Sequence, residues 1–338
     1  APFPTRATDV QGEARVPWLL GEAGTGQRLE ASAGGVSVEF QATSIEPVPG
    51  ESYMGRSNYI EYLPGSLPLV LSAGHGGDLR PTEIPDRTYG TMARDTNTRE
   101  LALQIRDEIK EETGFYPHII ISHLHRTKLD PNREVVEAAQ GDPEAVRAWW
   151  EFQTFIDEAE RIVEEEFGEG FYIDLHGHGH TIQRLELGYL LSSTDLNNSD
   201  EALSSATYVN KSSIKALAEK PGVDFVALLR GPMSLGTLLG DEGFPAVPSV
   251  PQPDPAGAPF FSGGYNTVRH GSRDGGTVSG VQIECNWEGV RNTTPARDVF
   301  ADALTAALLA YFPAHFGMEL APAPAAAACG TAPAPAAA

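Results

Sequence analysis

Cysteine is nearly absent from this 338-residue chain, which holds only two, Cys285 and Cys329. That number excludes a disulfide scaffold and any cysteine-rich zinc site. One bridge between the two is allowed. It would tie the C-terminal tail to the strand region around Cys285 and stabilise the fold by roughly 3–4 kcal/mol on a loop-entropy argument. The alternative is two unrelated thiols. Positive charge is also scarce: 24 Lys and Arg stand against 46 Asp and Glu, a formal net charge of −22. A surface this acidic repels phosphate and disfavours a nucleic-acid partner. No apolar run approaches the roughly 18 residues of a membrane span. The longest, such as LPLVLSAG at 67–74, has the length of a core strand.

Apolar residues make up 41% of the chain, the level of an ordinary globular protein. The chain opens APFP without Met. Together with the cysteine pair, that fits an exported protein, and an extracytoplasmic location is the expectation. Three regions follow from composition. Residues 1–60 are an N-terminal extension with short strands, including a half-buried one at 36–45. Residues 61–318 are expected to form one folded domain. Residues 319–338 are an Ala/Pro-rich tail without packing residues.

Inside the domain, apolar runs at 67–74, 118–125, 171–180 and 276–286 read as buried strands. The segment 224–231 reads as a strand entering a loop. Amphipathic helices are expected at 95–112, 143–166, 207–219 and 298–312. The Pro-rich stretch 244–260 is expected to be a surface loop, and a lid is one reading of it. Strands alternating with helices imply an α/β layer fold: a mainly parallel or mixed central sheet flanked by helices, in a single domain. In such sheets ligands bind beyond the carboxyl ends of the strands.

The polar residues cluster at those ends. SAGHGGD places His75 and Asp78 three residues apart after one strand, and DLHGHGH places His176 after another. Two histidines and a carboxylate form a zinc set that leaves a position for water. The expected ligands are His75, Asp78 and His176, one zinc per chain, with Asp95 as the alternative carboxylate. Asp174 is either a partner orienting a ligand or a ligand itself. Glu284 lies in a buried-looking strand, where an ionised group is costly unless paired or functional. HRTKLDPNRE gathers Arg126, Asn132 and Arg133 in one turn. An arginine beside a metal can stabilise an oxyanion, and a guanidinium matches a substrate carboxylate in bidentate fashion. Arg230 and Arg269 are further candidates for substrate binding.

Taken in order, LVLSAGHGG at 69–77, HRTKLDPNR at 125–133, IDLHGHG at 173–179, GGYNTVRHG at 263–271 and VQIECN at 281–286 resemble the N-formylglutamate amidohydrolase family. That family is related to the zinc carboxypeptidases, and the resemblance spans about residues 65–312. It implies a phosphorylase/hydrolase-like α/β fold of the zinc carboxypeptidase type, one zinc, and hydrolysis of an amide beside a carboxylate. It further implies that His75 and His176 bind the metal and that Asp78 stands where carboxypeptidases carry Glu. Glu284 would be the base, Arg126 the group polarising the carbonyl, and Asn132 with Arg133 the carboxylate clamp. The expected partner is a small molecule or peptide bearing a carboxylate. Two alternatives remain: a carboxypeptidase, poly-amino-acid hydrolase or esterase with the same site, and a non-catalytic anion-binding protein. The N-terminal segment, the Pro-rich insertion and the tail depart from the family and point to a different substrate.

Overall fold

A computed structural model describes residues 26–322 and, before them, residues 8, 12 and 14. Cys329 and residues 323–338 of the Ala/Pro tail lie outside the described residues, so the proposed bridge does too, while Leu320 at the start of the tail is buried in the core. Cys285 is fully buried in the core.

The strands are β1 (Gly26–Ala33), β2 (Val36–Thr43), β3 (Tyr53–Met54), β4 (Ile60–Leu63), β5 (Leu69–Ala73), β6 (His118–Ser122), β7 (Gly170–Gly177), β8 (Leu185–Gly188), β9 (Ala246–Val247) and β10 (Val278–Cys285). β3 to β10 form one eight-stranded sheet in the order β3-β4-β6-β5-β7-β10-β8-β9. Its centre, β6-β5-β7-β10, is parallel, and β4 and β8 run antiparallel to it. The structure is therefore an α/β domain with a mixed sheet.

Period-two alternation sorts the strand side chains onto two faces. Leu69, Leu71, Phe171, Ile173, Leu175, Val281 and Ile283 pack on one side. They meet Leu101, Ile105 and Ile109 of helix α1 (Thr98–Thr113) there, and Leu304 and Leu308 of the C-terminal helix Thr294–His315. Val70, Ile120, Tyr172 and Val278 face the other way, against Trp149, Phe152 and Ile156 of the long helix Pro143–Phe167. Asp142 starts that helix as a side-chain N-cap, with Pro143 in its first turn. Truncating the fully buried Phe152 to Ala would cost about 3–5 kcal/mol. Because Asp174, His176, Gln282 and Glu284 keep step with Tyr172 and Val278, they too point to the face of the long helix.

Four segments differ from the sequence expectation. Residues 224–231 form a helix, Phe225–Arg230, because Asp224 caps it through the amides of Val226 and Ala227. The helix expected over 207–219 is broken into Ala206–Lys211 and Lys215–Ala218. The strand expected at 36–45 is exposed rather than half-buried, and it pairs with β1 in a separate two-stranded ribbon. Gly34 and Gly35, both at positive φ, turn the chain between those strands. The Pro-rich segment carries edge strand β9 and is strapped to the body by Arg184, whose guanidinium reaches Gln252 and Pro255.

No helix among the described residues is long and apolar enough to cross a membrane.

Candidate metal centre

The chain passes from β5 to β6 on one side, then returns to β7 on the other. The crevice beyond the carboxyl ends of β5 and β7 is thus a topological switch point. His75 lies two residues past β5, and His176 lies near the end of β7. Both side chains are buried.

Their third companion is Asp95. His75, Asp95 and His176 each offer one ligand atom, all within 4.8 Å of one another. His75 Nδ1 lies 3.2 Å from Asp95 Oδ2, and His176 Nδ1 lies 3.1 Å from the same oxygen. Asp95 sits just before α1, where its amide donates to the His75 carbonyl at 3.1 Å. Gly177 N–H also donates to Oδ2, at 3.2 Å.

The expected third ligand, Asp78, does not join this group. Its side chain is 55% exposed and pairs with Arg99 at 3.3 Å. The physical reason lies in Gly76 and Gly77. Their backbones press against other backbones: a Cβ at Gly76 would stand 2.4 Å from Arg99 N, and one at Gly77 would stand 2.3 Å from His123 C. The glycines serve that close packing, which carries the chain out to the surface by residue 78. They do not fold Asp78 back toward His75.

The far nitrogen of each histidine is held by a second aspartate. His75 Nε2 is 2.7 Å from Asp130 Oδ1, and His176 Nε2 is 2.8 Å from Asp174 Oδ2. These lengths are those of charge-assisted hydrogen bonds, so the Nε2 atoms carry hydrogen and the Nδ1 atoms turn toward Asp95. The Nδ1–Oδ2 separations are longer. They match the edge of a tetrahedron with bonds of 2.0–2.2 Å, about 3.3 Å. Two lone pairs aimed at a carboxylate oxygen repel unless a cation lies between them. The donor set therefore fits zinc. Ser72 Oγ donates to Asp174 Oδ1 at 2.7 Å, and Asn266 approaches the same oxygen at 3.4 Å.

The electrostatics agree. Asp95 and Asp130 are buried, which opposes ionisation, yet His75 and His176 hold the Asp95 carboxyl well below the ordinary range, and His75 with Arg126 does the same for Asp130. Asp174 is lowered as well, mainly by His176 against its burial. Burial opposes a charge on His176, but Asp174 and Asp95 outweigh it and raise the imidazole well above its ordinary value. The site demands positive charge, from protons or from a metal ion.

Glu284 is in register with His176 on the neighbouring strand. It is 6% exposed, and Gln282 Nε2 donates to its Oε1 at 2.9 Å. Burial pushes its carboxyl up to about 8, with His176 lowering it and Asp95, Glu186 and Asp174 raising it further. Arg126 lies close by: Nε donates to Asp130 Oδ2 at 2.9 Å, Nη1 donates to Ala93 O at 3.3 Å, and Nη1 stands 3.6 Å from Asp95 Oδ1.

The other candidates divide. Asn132 is buried; its Oδ1 accepts from Asn266 N–H at 2.8 Å and its Nδ2 lies 3.3 Å from His176 Nε2. It fastens the 263–266 segment to the site. Arg133 keeps 35% of its side chain exposed, beside Glu137 at 3.4 Å. Two expectations are corrected. Arg230 spends its guanidinium on Asp200 and on the carbonyls of Leu196, Asn198 and Pro253. Arg269 pairs with Asp157 at 2.8 Å. Both are engaged in ion pairs that hold the fold.

Three participants have no assigned role in the sequence reading. Asp130 orients His75, Arg87 stands 3.7 Å from Asp130 Oδ2, and Arg291 ties the loops together. Arg291 donates to the carbonyls of Cys285, Thr96 and His178 at 3.0, 2.6 and 3.0 Å. A Cβ at Gly177 would clash with that guanidinium, at 2.3 Å from Cζ. The spacing of Asp130 two before Asn132 was visible; nothing in the sequence linked it to His75.

No family model matches the sequence, and no curated protein does. Among solved structures, the chain is similar to an N-formylglutamate amidohydrolase from Ralstonia eutropha JMP134, at TM-score 0.48 and 14% identity, over 76% of this chain and 97% of that one. It is similar to a gene product of Agrobacterium tumefaciens at TM-score 0.39 and 14% identity, over 73% and 92% of the two chains. It is also similar to a metallopeptidase candidate from Shewanella amazonensis at TM-score 0.33 and 11% identity, over 86% and 87%.

Proposed function

We propose that this protein is a zinc-dependent hydrolase that cleaves an amide bond of a carboxylate-bearing substrate, such as an N-acyl amino acid. The observation that carries the reading is the convergence of His75 Nδ1, His176 Nδ1 and Asp95 Oδ2, with Asp130 and Asp174 behind the two imidazoles. Three protein ligands with orienting carboxylates are the pattern of a catalytic zinc site.

His75, Asp95 and His176 would hold a zinc ion, which would supply Lewis acidity toward a carbonyl oxygen and toward water. Glu284, beside His176, accepts a proton from the water that attacks the carbonyl carbon. It then returns that proton to the leaving nitrogen as the C–N bond breaks, so one water and one amide become a carboxylic acid and an amine. Its buried, raised carboxyl is suited to holding a proton between those steps. Arg126 steadies the developing oxyanion. Its Nε and Nη1 are committed to Asp130 and Ala93, which leaves Nη2 as the donor. Arg133, the exposed cation of the group, meets the substrate carboxylate.

The test is metal content of the purified chain together with hydrolysis of N-formyl-, N-acetyl- and peptidyl-glutamate. About one zinc per chain is expected. Turnover should stop on chelation and return with zinc. A chain that takes up no zinc, or hydrolyses none of these substrates with zinc bound, overturns the proposal.

A further inference from the structure

A second polar group flanks Glu284 on the side away from His176. β8 runs antiparallel to β10 and places Glu186 directly opposite Glu284, as β7 places His176. The three side chains form one row across three strands, at roughly 5 Å per strand. Glu186 is 1% exposed. Its Oε1 lies 2.8 Å from His180 Nδ1, and its Oε2 accepts from Phe261 N–H at 2.8 Å. The His180 ring lies flat on Phe261, with centroids 4.7 Å apart and planes at 9°. The imidazole is thus fixed at one nitrogen and one face. Its Nε2 has no protein partner among the described residues, and the side chain stays 22% exposed.

His178 stands beside this pair and gives the three residues the spacing of a metal site. Hydrogen bonding excludes that use. His178 Nε2 faces the Arg184 carbonyl at 2.8 Å, which only accepts, so Nε2 carries the hydrogen. Nδ1 then accepts from His180 N–H at 3.0 Å. Both nitrogens are occupied. What remains is a carboxylate–imidazole pair: Glu186 takes the Nδ1–H of His180 and leaves Nε2 as a hydrogen-bond acceptor in the loop just past the carboxyl end of β7.

Resting on the hydrolase reading above, we propose that His180 is a specificity residue that accepts the N–H of the scissile amide, so that the site selects amides over esters. Glu284 delivers its proton to the leaving atom, and His180 is held by Glu186, the residue directly across from Glu284 on the next strand. An amide offers an N–H there, and an ester does not. A site built to bond a substrate N–H discriminates against the analogue lacking it.

The experiment uses the zinc-loaded full chain and a matched pair of substrates, an N-acyl glutamate and the ester in which oxygen replaces the amide nitrogen. kcat/KM is measured on both for the wild type, His180→Ala and Phe261→Ala, with zinc content and thermal melting as checks on folding. The wild type should prefer the amide relative to the uncatalysed reactivity of the pair. His180→Ala should lower the amide-to-ester ratio about tenfold or more, and Phe261→Ala should lower it less. A His180→Ala ratio equal to the wild type's, in a folded zinc-bound variant, overturns the role of His180 and leaves the hydrolase intact. A wild type that hydrolyses neither substrate overturns both.

Discussion

Replacing Asp95 and Asp78 separately by Ala distinguishes the two carboxylates that the sequence offered as the third ligand. The magnitude follows from the shells around the ion. Removing a residue that only orients a ligand costs 10–100-fold in metal affinity. Removing a ligand must cost more, so Asp95→Ala should weaken zinc by more than about 100-fold, or roughly 2.8 kcal/mol at 1.4 kcal/mol per tenfold. Asp95 Oδ2 is the one oxygen near both imidazole Nδ1 atoms, and losing it leaves two ligands. Asp78 is exposed and touches only Arg99 in an ion pair. A surface pair of that kind contributes at most about 1 kcal/mol to stability and nothing to the site. Asp78→Ala should therefore bind zinc within about threefold of wild type, under 0.7 kcal/mol. The assay is competition against a chelating dye of known affinity at pH 7.5, with circular dichroism as a check on folding. Wild-type zinc affinity in folded Asp95→Ala, or a large loss in folded Asp78→Ala, would refute the reasoning.

Other consequences can be measured alongside. Asp130→Asn and Asp174→Asn should each weaken zinc about 10–100-fold while still binding it at saturation; unchanged affinity would remove them as orienting partners. Glu284→Gln should abolish turnover with zinc retained, and residual kcat near wild type would exclude Glu284 as the base. In chelator, the same variant should melt higher than wild type at pH 9. There, ionisation of the buried Glu284, raised to about 8 in the fold, opposes folding. Each kcal/mol is worth about 2–4 °C. Asp95, Asp130 and Asp174 are lowered in the fold. Their stabilisation is therefore complete above the ordinary carboxylate value of about 4 and is lost as pH falls further. The metal-free protein should lose melting temperature below pH 4, and Asp130→Asn should flatten that slope. Parallel slopes would contradict it.

The central sheet was legible because parallel strands covered on both faces must be apolar throughout, as LPLVLSAG and HIIIS are. His75 and His176 were legible because strand ends followed by glycine are where an α/β sheet presents side chains. Asp95 lies twenty residues beyond His75, across a stretch without periodicity. Choosing between it and Asp78 required knowing that Gly76 and Gly77 press on Arg99 and His123, and that contact is tertiary. The helix Phe225–Arg230 failed for another reason. Its short apolar run fits either period, and the side-chain cap at Asp224 decides the matter. Arg230 and Arg269 were offered to substrate because a loop arginine shows no partner in sequence, and Asp200 and Asp157 are distant along the chain.

The charge around the centre yields a final test. Four buried carboxyls gather at the centre, those of Asp95, Asp130, Asp174 and Glu284, and two guanidiniums pair with them, Arg87 with Asp130 and Arg126 with Asp95 and Asp130, so the carboxylates, if all ionised, would exceed the guanidiniums by two. Buried charge must be balanced. Without metal, protons do this at pH 7: His176 is raised well above its ordinary value, and Glu284 titrates near 8. A zinc ion held by His75, Asp95 and His176 would replace the His176 proton and add two positive charges to the centre, so both protons should leave. Zinc binding at pH 7 should thus release about two protons, since ligands must deprotonate to bind. At pH 9, Glu284 is already largely ionised, and the release should fall toward one. Calorimetry in buffers of different ionisation enthalpy counts these protons directly. Release near zero at pH 7 would mean that the carboxylates are balanced some other way, and that His75, Asp95 and His176 are a hydrogen-bonded cluster rather than a metal centre.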